Sequence, residues 1–144
     1  MKKLFLIITM CLIMSTSQAQ ESKPFQCEIE NKEYKVFFKL DLYDQTISIK
    51  GQEDIYGDMD GYLGSKQSTQ FWIITDSEMV NDHCATITMI NIYGSEDITA
   101  QLTYKDDGTY LYEYKQGSSL KFAVNNKWQK LPKSMVFKVV EKQK

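Results

Sequence analysis

DITAQLTYKDDGTYLYEY, residues 97–114, decides the fold. In its first half Ile98, Ala100, Leu102 and Tyr104 fall on one face of an extended chain, with Thr99, Gln101 and Thr103 on the other. In its second half Tyr110, Tyr112 and Tyr114 again share one face. Successive side chains of a strand point to opposite sides, so an apolar set at period two marks a half-buried antiparallel strand. Between the halves lies Asp107-Gly108, which accepts the positive φ that a tight hairpin demands.

The same reading extends in both directions. EYKVFFKL (33–40) puts Tyr34, Val36, Phe38 and Leu40 opposite Lys35 and Lys39. TISIK (46–50) offers Ile47 and Ile49, and CATITMIN (84–91) offers Ala85, Ile87 and Met89. SLKFAV (119–124) contributes Leu120 and Phe122, and SMVFKVV (134–140) closes the series. Short turn signals separate these runs, among them Asn31-Lys32, Tyr93-Gly94-Ser95, Gln116-Gly117-Ser118 and Asn125-Asn126-Lys127. Two patches, 51–68 and 76–82, carry little pattern, and no helical segment stands out after residue 20. The expectation is an all-β chain of eight to ten short strands in an up-and-down meander. Closure into a small lipocalin-like antiparallel barrel would remove the exposed edges of an open sheet. A β-sandwich is the alternative.

The first twenty residues, MKKLFLIITMCLIMSTSQAQ, follow the order of a bacterial signal peptide. Lys2 and Lys3 precede an apolar run of about eleven residues, and Ser17-Gln18-Ala19 fits a small-x-small cleavage site. The run is shorter than the ~20 residues needed to span a bilayer. Residues 1–19 are therefore expected to be removed, leaving one domain over 20–144, exported to the periplasm or beyond the cell, with no membrane span. Cys11 leaves with the signal, so Cys27 and Cys84 remain. An even count in an oxidising compartment suggests a Cys27–Cys84 disulfide, which would remove ~4 kcal/mol of unfolded-state entropy.

Charge is unevenly placed. Residues 41–113 hold 14 acids and 3 lysines, whereas residues 114–144 hold 8 lysines and 1 acid. Either the two regions neutralise each other in the fold, or they polarise a surface that steers a charged partner. The chain has no arginine, the residue that supplies bidentate contacts to phosphates and guanine, and it is acidic overall. Nucleic acid is thus not an expected partner.

The stretch GQEDIYGDMDG (51–61) is the main candidate for chemistry. An EF-hand reading fails, because alignment on Gly61 leaves Tyr56 at the first ligand position and Gln67 at the twelfth. One histidine and two cysteines do not make a usual zinc set. Asp58 and Asp60 could sit ~7 Å apart on one face of a strand, a separation compatible with a glycosidase pair. A chain of this length leaves little room for the required cleft. The reading adopted is an exposed acidic connection with turns at Gly57, Gly61 and Gly64. No catalytic set, cofactor or metal is expected. Phe71-Trp72 reads as core, and the tyrosine row reads as core or cross-strand packing.

Phe25-x-Cys27, Tyr34-x-Val36-x-Phe38 and Ile47-x-Ile49-x-Gly51 resemble the opening of the C-type membrane-bound (MliC-like) lysozyme inhibitors. That resemblance implies a small exported barrel with a cysteine in its first strand and a secreted hydrolase as partner. The family's Ser-Gly-x-x-Tyr inhibitory segment has no counterpart here, so no inhibitory residue is carried over. The expectation is a monomeric, non-enzymatic binding protein, an inhibitor or immunity-type partner of a secreted hydrolase. The partner-facing residues would be Asp58, Asp60 and Tyr62 on one loop and Tyr93, Ser95 and Glu96 on another. The alternative is a lipocalin-like carrier of a small lipid or sugar.

Overall fold

The computed structural model describes residues 23–141. The expected signal peptide lies outside the described residues. Ten strands run in order: β1 (Gln26–Asn31), β2 (Val36–Asp41), β3 (Gly61–Ser65), β4 (Phe71–Asn81), β5 (Cys84–Asn91), β6 (Asp97–Tyr104), β7 (Tyr110–Gly117), β8 (Lys121–Val124), β9 (Lys127–Lys130) and β10 (Ser134–Val139). A one-turn helix α1 (Glu53–Tyr56) precedes β3.

Eight strands form a closed barrel in which β1 to β7 run as a meander and β10 pairs with both β7 and β1. All its pairs are antiparallel, and the closed ring of pairings excludes the sandwich. β8 and β9 stand outside the wall as a separate hairpin, inserted between β7 and β10. Its link is the two-residue turn Asn125-Asn126, with φ of 52° and 64°. Asparagine tolerates that left-handed pair better than most residues, and the turn's twist suits a hairpin.

The period-two runs point inward as expected. Phe38, Leu40, Ala85, Ile87, Met89, Ile98, Ala100 and Leu102 are all buried. From β2, the Phe38 ring comes within 5.1 Å of Phe137 on β10 and 6.3 Å of Tyr112 on β7, measured between centroids. The side chains of well-separated wall positions thus meet in the middle. Each such buried side chain contributes ~1.5–3 kcal/mol by leaving water.

Both mouths are covered. At one end Pro24 and Phe25 are buried under the wall, where the Tyr110 hydroxyl donates to the Pro24 carbonyl and the Phe25 ring meets Tyr110 edge-on. At the other end the hairpin brings Leu120, Phe122 and Leu131 over the core. The Trp72 indole N–H donates to the Lys121 carbonyl at 3.0 Å and so fastens the hairpin to β4.

A second apolar cluster lies on the outer face. Ile49, Met59, Tyr62 and Ile73 are buried there, flanked by Ile47, Tyr56 and Phe37. The long β2–β3 connection, 42–60, therefore straps across the outside of β2 to β4. This overturns two expectations from the sequence. Ile47 and Ile49 belong to the strap, with only an isolated Ile47–Met59 bridge, and not to a strand. Gly61 and Gly64 lie within β3, not in turns. A Cβ on Gly64 would sit 2.6 Å from the Phe37 ring, and one on Gly61 would sit 2.3 Å from the Lys39 carbonyl oxygen.

The expected disulfide is also corrected. Cys27 and Cys84 are free. Cys27 pairs with inward-facing Leu40 and packs against the core, where its Sγ lies 3.3 Å from the Tyr110 hydroxyl. Cys84 alternates with the inward Ala85 and accepts from Thr103 Oγ1, so it lies on the outer side. In the barrel order, β1 and β5 occupy opposite walls. Burial raises the Cys27 pKa, against a smaller opposing effect from Tyr110, so the reactive thiolate form is disfavoured. Reducing agent is expected to leave the thermal midpoint of the mature protein unchanged. A fall equivalent to ~4 kcal/mol would show that the two cysteines are bridged.

Candidate functional site: the hairpin end

The meander sorts its connections by end. The β1–β2, β3–β4 and β5–β6 loops open beside the β8–β9 hairpin, whereas 42–60, 82–83 and 105–109 leave from the opposite end. At the hairpin end two large aromatic side chains face solvent. Tyr93 is 68% exposed and Trp128 is 59% exposed, and both border one hollow with Glu96 and Lys121.

These side chains are held by neighbours. Gln70 Nε2 donates to the Tyr93 hydroxyl at 3.4 Å, while Gln70 Oε1 accepts the Ala123 N–H at 3.1 Å. One amide thus ties the β3–β4 loop to the β5–β6 loop and to the hairpin. Lys121 Nζ lies 3.3 Å from Glu96 Oε1 and 4.9 Å from the Trp128 ring centre. Asn91 donates to Ser95 Oγ and to Glu96 Oε2, each at 3.3 Å. A larger hollow of about 670 Å³ continues past Tyr93, bounded by Gln67, Thr69, Asn125 and Asn126. An aromatic pair on a rigid frame, rimmed by amides, buries area at low entropic cost when a partner docks.

Charge follows the same axis. Lys115, Lys121, Lys127, Lys130 and Lys133 cluster at the hairpin end, and Asp44, Asp82, Asp106 and Asp107 lie at the other. Among the described residues, Lys127, Lys130 and Lys133 form no salt bridge. The two charged regions of the sequence therefore lean toward opposite ends of the barrel, while Lys121–Glu96 at 3.3 Å and Lys115–Glu113 at 4.0 Å join them locally.

The expected partner-facing residues divide. Tyr93, Ser95 and Glu96 belong to the hairpin end. Asp58 is exposed, but it sits on the strap, which departs from the opposite end. Asp60 and Tyr62 are each only 6% exposed. Asp60 accepts the Ser77 hydroxyl at 2.6 Å, and Tyr62 packs between Phe37 and Phe71. Neither side chain is placed to touch a partner, and the two loops do not form one surface. The acids of 51–61 do not converge, and no metal-ligand group forms among the described residues. Sequence reasoning missed Trp128, Lys121 and Gln70. A tryptophan flanked by Lys127 and Gln129 right after an Asn-Asn turn has no apolar companion at period two, and that was the available signal.

At the acidic end Asp41 is buried and organises its own turn. Its carboxylate accepts from the Tyr43 and Asp44 N–H groups at 3.2 and 3.0 Å and from Thr46 Oγ1 at 2.5 Å. Burial opposes the charge, but the hydrogen bonds from Thr46, Asp44 and Tyr43 prevail and lower the Asp41 pKa below 3.8. A folded pKa below the unfolded one gives stability that is present above about pH 4 and lost as pH falls through the folded value. Asp41→Asn is expected to flatten the acid-side slope of stability, measured by urea unfolding from pH 6 downward. An unchanged slope would mean that another carboxylate governs it.

The fold and this end together define a class: a closed, side-chain-filled meander barrel with a hairpin lid and an aromatic, cationic rim. In comparisons with protein-family models, curated proteins and solved structures, nothing matches the chain.

Proposed function

We propose that the chain is an exported, non-enzymatic binding protein that recognises another protein through its hairpin end. The observation that carries this reading is the exposure of Tyr93 and Trp128 side by side on an otherwise packed barrel. Tryptophan and tyrosine dominate protein-binding hot spots, and lysines around them speed the approach of an acidic partner. A secreted hydrolase is the proposed partner class, on the strength of the resemblance of 25–51 to the C-type lysozyme inhibitors. C-type lysozyme is accordingly the first enzyme to assay. A carrier needs a lumen, and here Phe38, Tyr112 and Phe137 occupy the middle of the barrel.

The test is capture of partners from the organism's own periplasm and culture medium on immobilised mature protein, followed by inhibition assays on any hydrolase retained. The expected result is one hydrolase that is inhibited at near-stoichiometric protein and is lost from the Tyr93→Ala/Trp128→Ala variant. Retention indifferent to those two residues, or a retained enzyme that stays fully active, would overturn the reading.

A further inference from the structure

The open hollow beyond Tyr93, about 670 Å³ in volume, lies within the ~300–1,000 Å³ range of small-molecule sites. In a chain that is 25% charged, its lining is almost neutral. Four side-chain amides, from Gln67, Gln70, Asn125 and Asn126, border it together with the hydroxyls of Ser68 and Thr69. No carboxylate lines it, and its single ammonium, Lys66, is held by Glu30 at 3.0 Å. Gln67, Thr69, Asn125 and Asn126 are exposed and Ser68 and Gln70 half-buried, so a ligand reaches all of them. The frame behind them is fixed. Ser68 Oγ accepts the Gln70 N–H at 3.3 Å, and the Gln70 carboxamide bridges the Tyr93 hydroxyl to the Ala123 N–H. A carboxamide has two N–H donors and two acceptor lone pairs, so Gln70 keeps one of each for a ligand.

Tyr93 supplies the other half of the chemistry. Its ring is 68% exposed and its hydroxyl is anchored by Gln70, so a flat apolar face stands at a set place beside the amides. A lone ion finds no free counter-charge here. A wholly apolar ligand would cover amides and leave them unpaired, at a cost of ~1–3 kcal/mol each. A sugar ring meets both demands. The C–H groups of one face pack on an aromatic ring, and the hydroxyls around its edge each donate and accept. We propose that the hollow binds a neutral oligosaccharide of two or three rings. One ring stacks on Tyr93, and the hydroxyls bond to Gln70, Asn125 and Asn126. This goes beyond the protein-docking reading, which also needs Trp128, a residue that does not border the hollow.

The probes are cellotriose, maltotriose and chitotriose, each titrated into the isotope-labelled mature protein and followed by amide NMR, with trigalacturonate as the anionic control. At least one neutral trisaccharide is expected to give saturable shifts at residues 67–70, 92–94 and 123–126, and trigalacturonate to bind no more tightly. Tyr93→Ala should weaken that trisaccharide about tenfold, the loss of a stacking face. Asn125→Gly/Asn126→Gly keeps the turn, because glycine adopts the φ of 52° and 64° found there, but removes two amides. It should weaken binding about fivefold or more while the thermal midpoint holds. Trp128→Ala should leave the sugar affinity unchanged. The proposal is overturned by an absence of saturable shifts with all three sugars, by tighter binding of trigalacturonate, or by affinity indifferent to Tyr93→Ala and to the double glycine variant. Loss of sugar binding in Trp128→Ala would overturn the placement in the hollow. Failure of every sugar would leave hydrolase capture through Tyr93 and Trp128 standing, so the two readings fail separately.

Discussion

The Tyr93→Ala/Trp128→Ala variant is expected to lose its partner almost completely while keeping its fold. Each is a large aromatic side chain, more than half exposed, and Tyr93 also borders the open hollow of about 670 Å³. Truncating a hot-spot aromatic costs ~2–4 kcal/mol of binding, which is a fall of about 30-fold to 1,000-fold in affinity. Two such losses are not strictly additive, but together they exceed what a typical inhibitor complex can absorb. The thermal midpoint should move little, because neither ring contributes to the barrel core. Asp58→Asn is the matched control. It removes an exposed charge from the strap, which leaves from the other end, and should leave the association rate unchanged. Titration calorimetry on the captured partner compares the affinities of both variants, and stopped-flow mixing gives the rates. If Asp58→Asn weakens binding and the aromatic pair does not, the recognition surface is the strap.

Phe38→Ala is the second large effect, and it bears on whether the barrel is solid. The Phe38 ring reaches Phe137 and Tyr112 on other walls, so its loss would open a hole where three strands meet. Phenylalanine-to-alanine changes in packed cores cost ~3–5 kcal/mol, of a total stability of ~5–15 kcal/mol for a domain of this size. Urea unfolding of the mature protein measures it. Val136→Ala, on the exposed outer face of β10, is the reference and should cost less than ~0.5 kcal/mol. A Phe38→Ala cost near that of Val136→Ala would mean that the ring lines an open lumen, and the carrier reading would regain its footing.

The parts of the fold that were legible are the strands with one wet face. β5, β6 and β7 alternate because solvent meets one side of each and the core meets the other. β3 was hidden for the opposite reason. All five of its residues are buried, since the core lies on one side and the strap on the other, so no alternation survives. The run TISIK alternates like a strand, but its isoleucines face the outer cluster, and a period-two pattern does not say which apolar surface it meets. The role of Asp60 depends on Ser77, seventeen residues away, and no local pattern carries such a pairing. The paired-cysteine expectation failed because a count ignores which side of which wall each sulfur faces. In the site, the Tyr93-Gly94-Ser95 turn was readable from its glycine, whereas Trp128 gained its meaning only when the hairpin folded over the barrel mouth.

The two ends, and with them the rim and the charge axis, exist only if the wall closes between its first and last strands. That closure rests on two backbone pairs, Ile29 with Val139 and Glu30 with Lys138, reinforced by the Asn31 side-chain amide donating to the Val136 carbonyl at 2.9 Å. The most direct test is a nuclear Overhauser spectrum of the mature protein, read for cross-strand contacts from Ile29 to Val139 and from Tyr112 to Met135. Closure requires both sets together. Strong Tyr112–Met135 contacts with none between Ile29 and Val139 would show an open sheet and contradict the account.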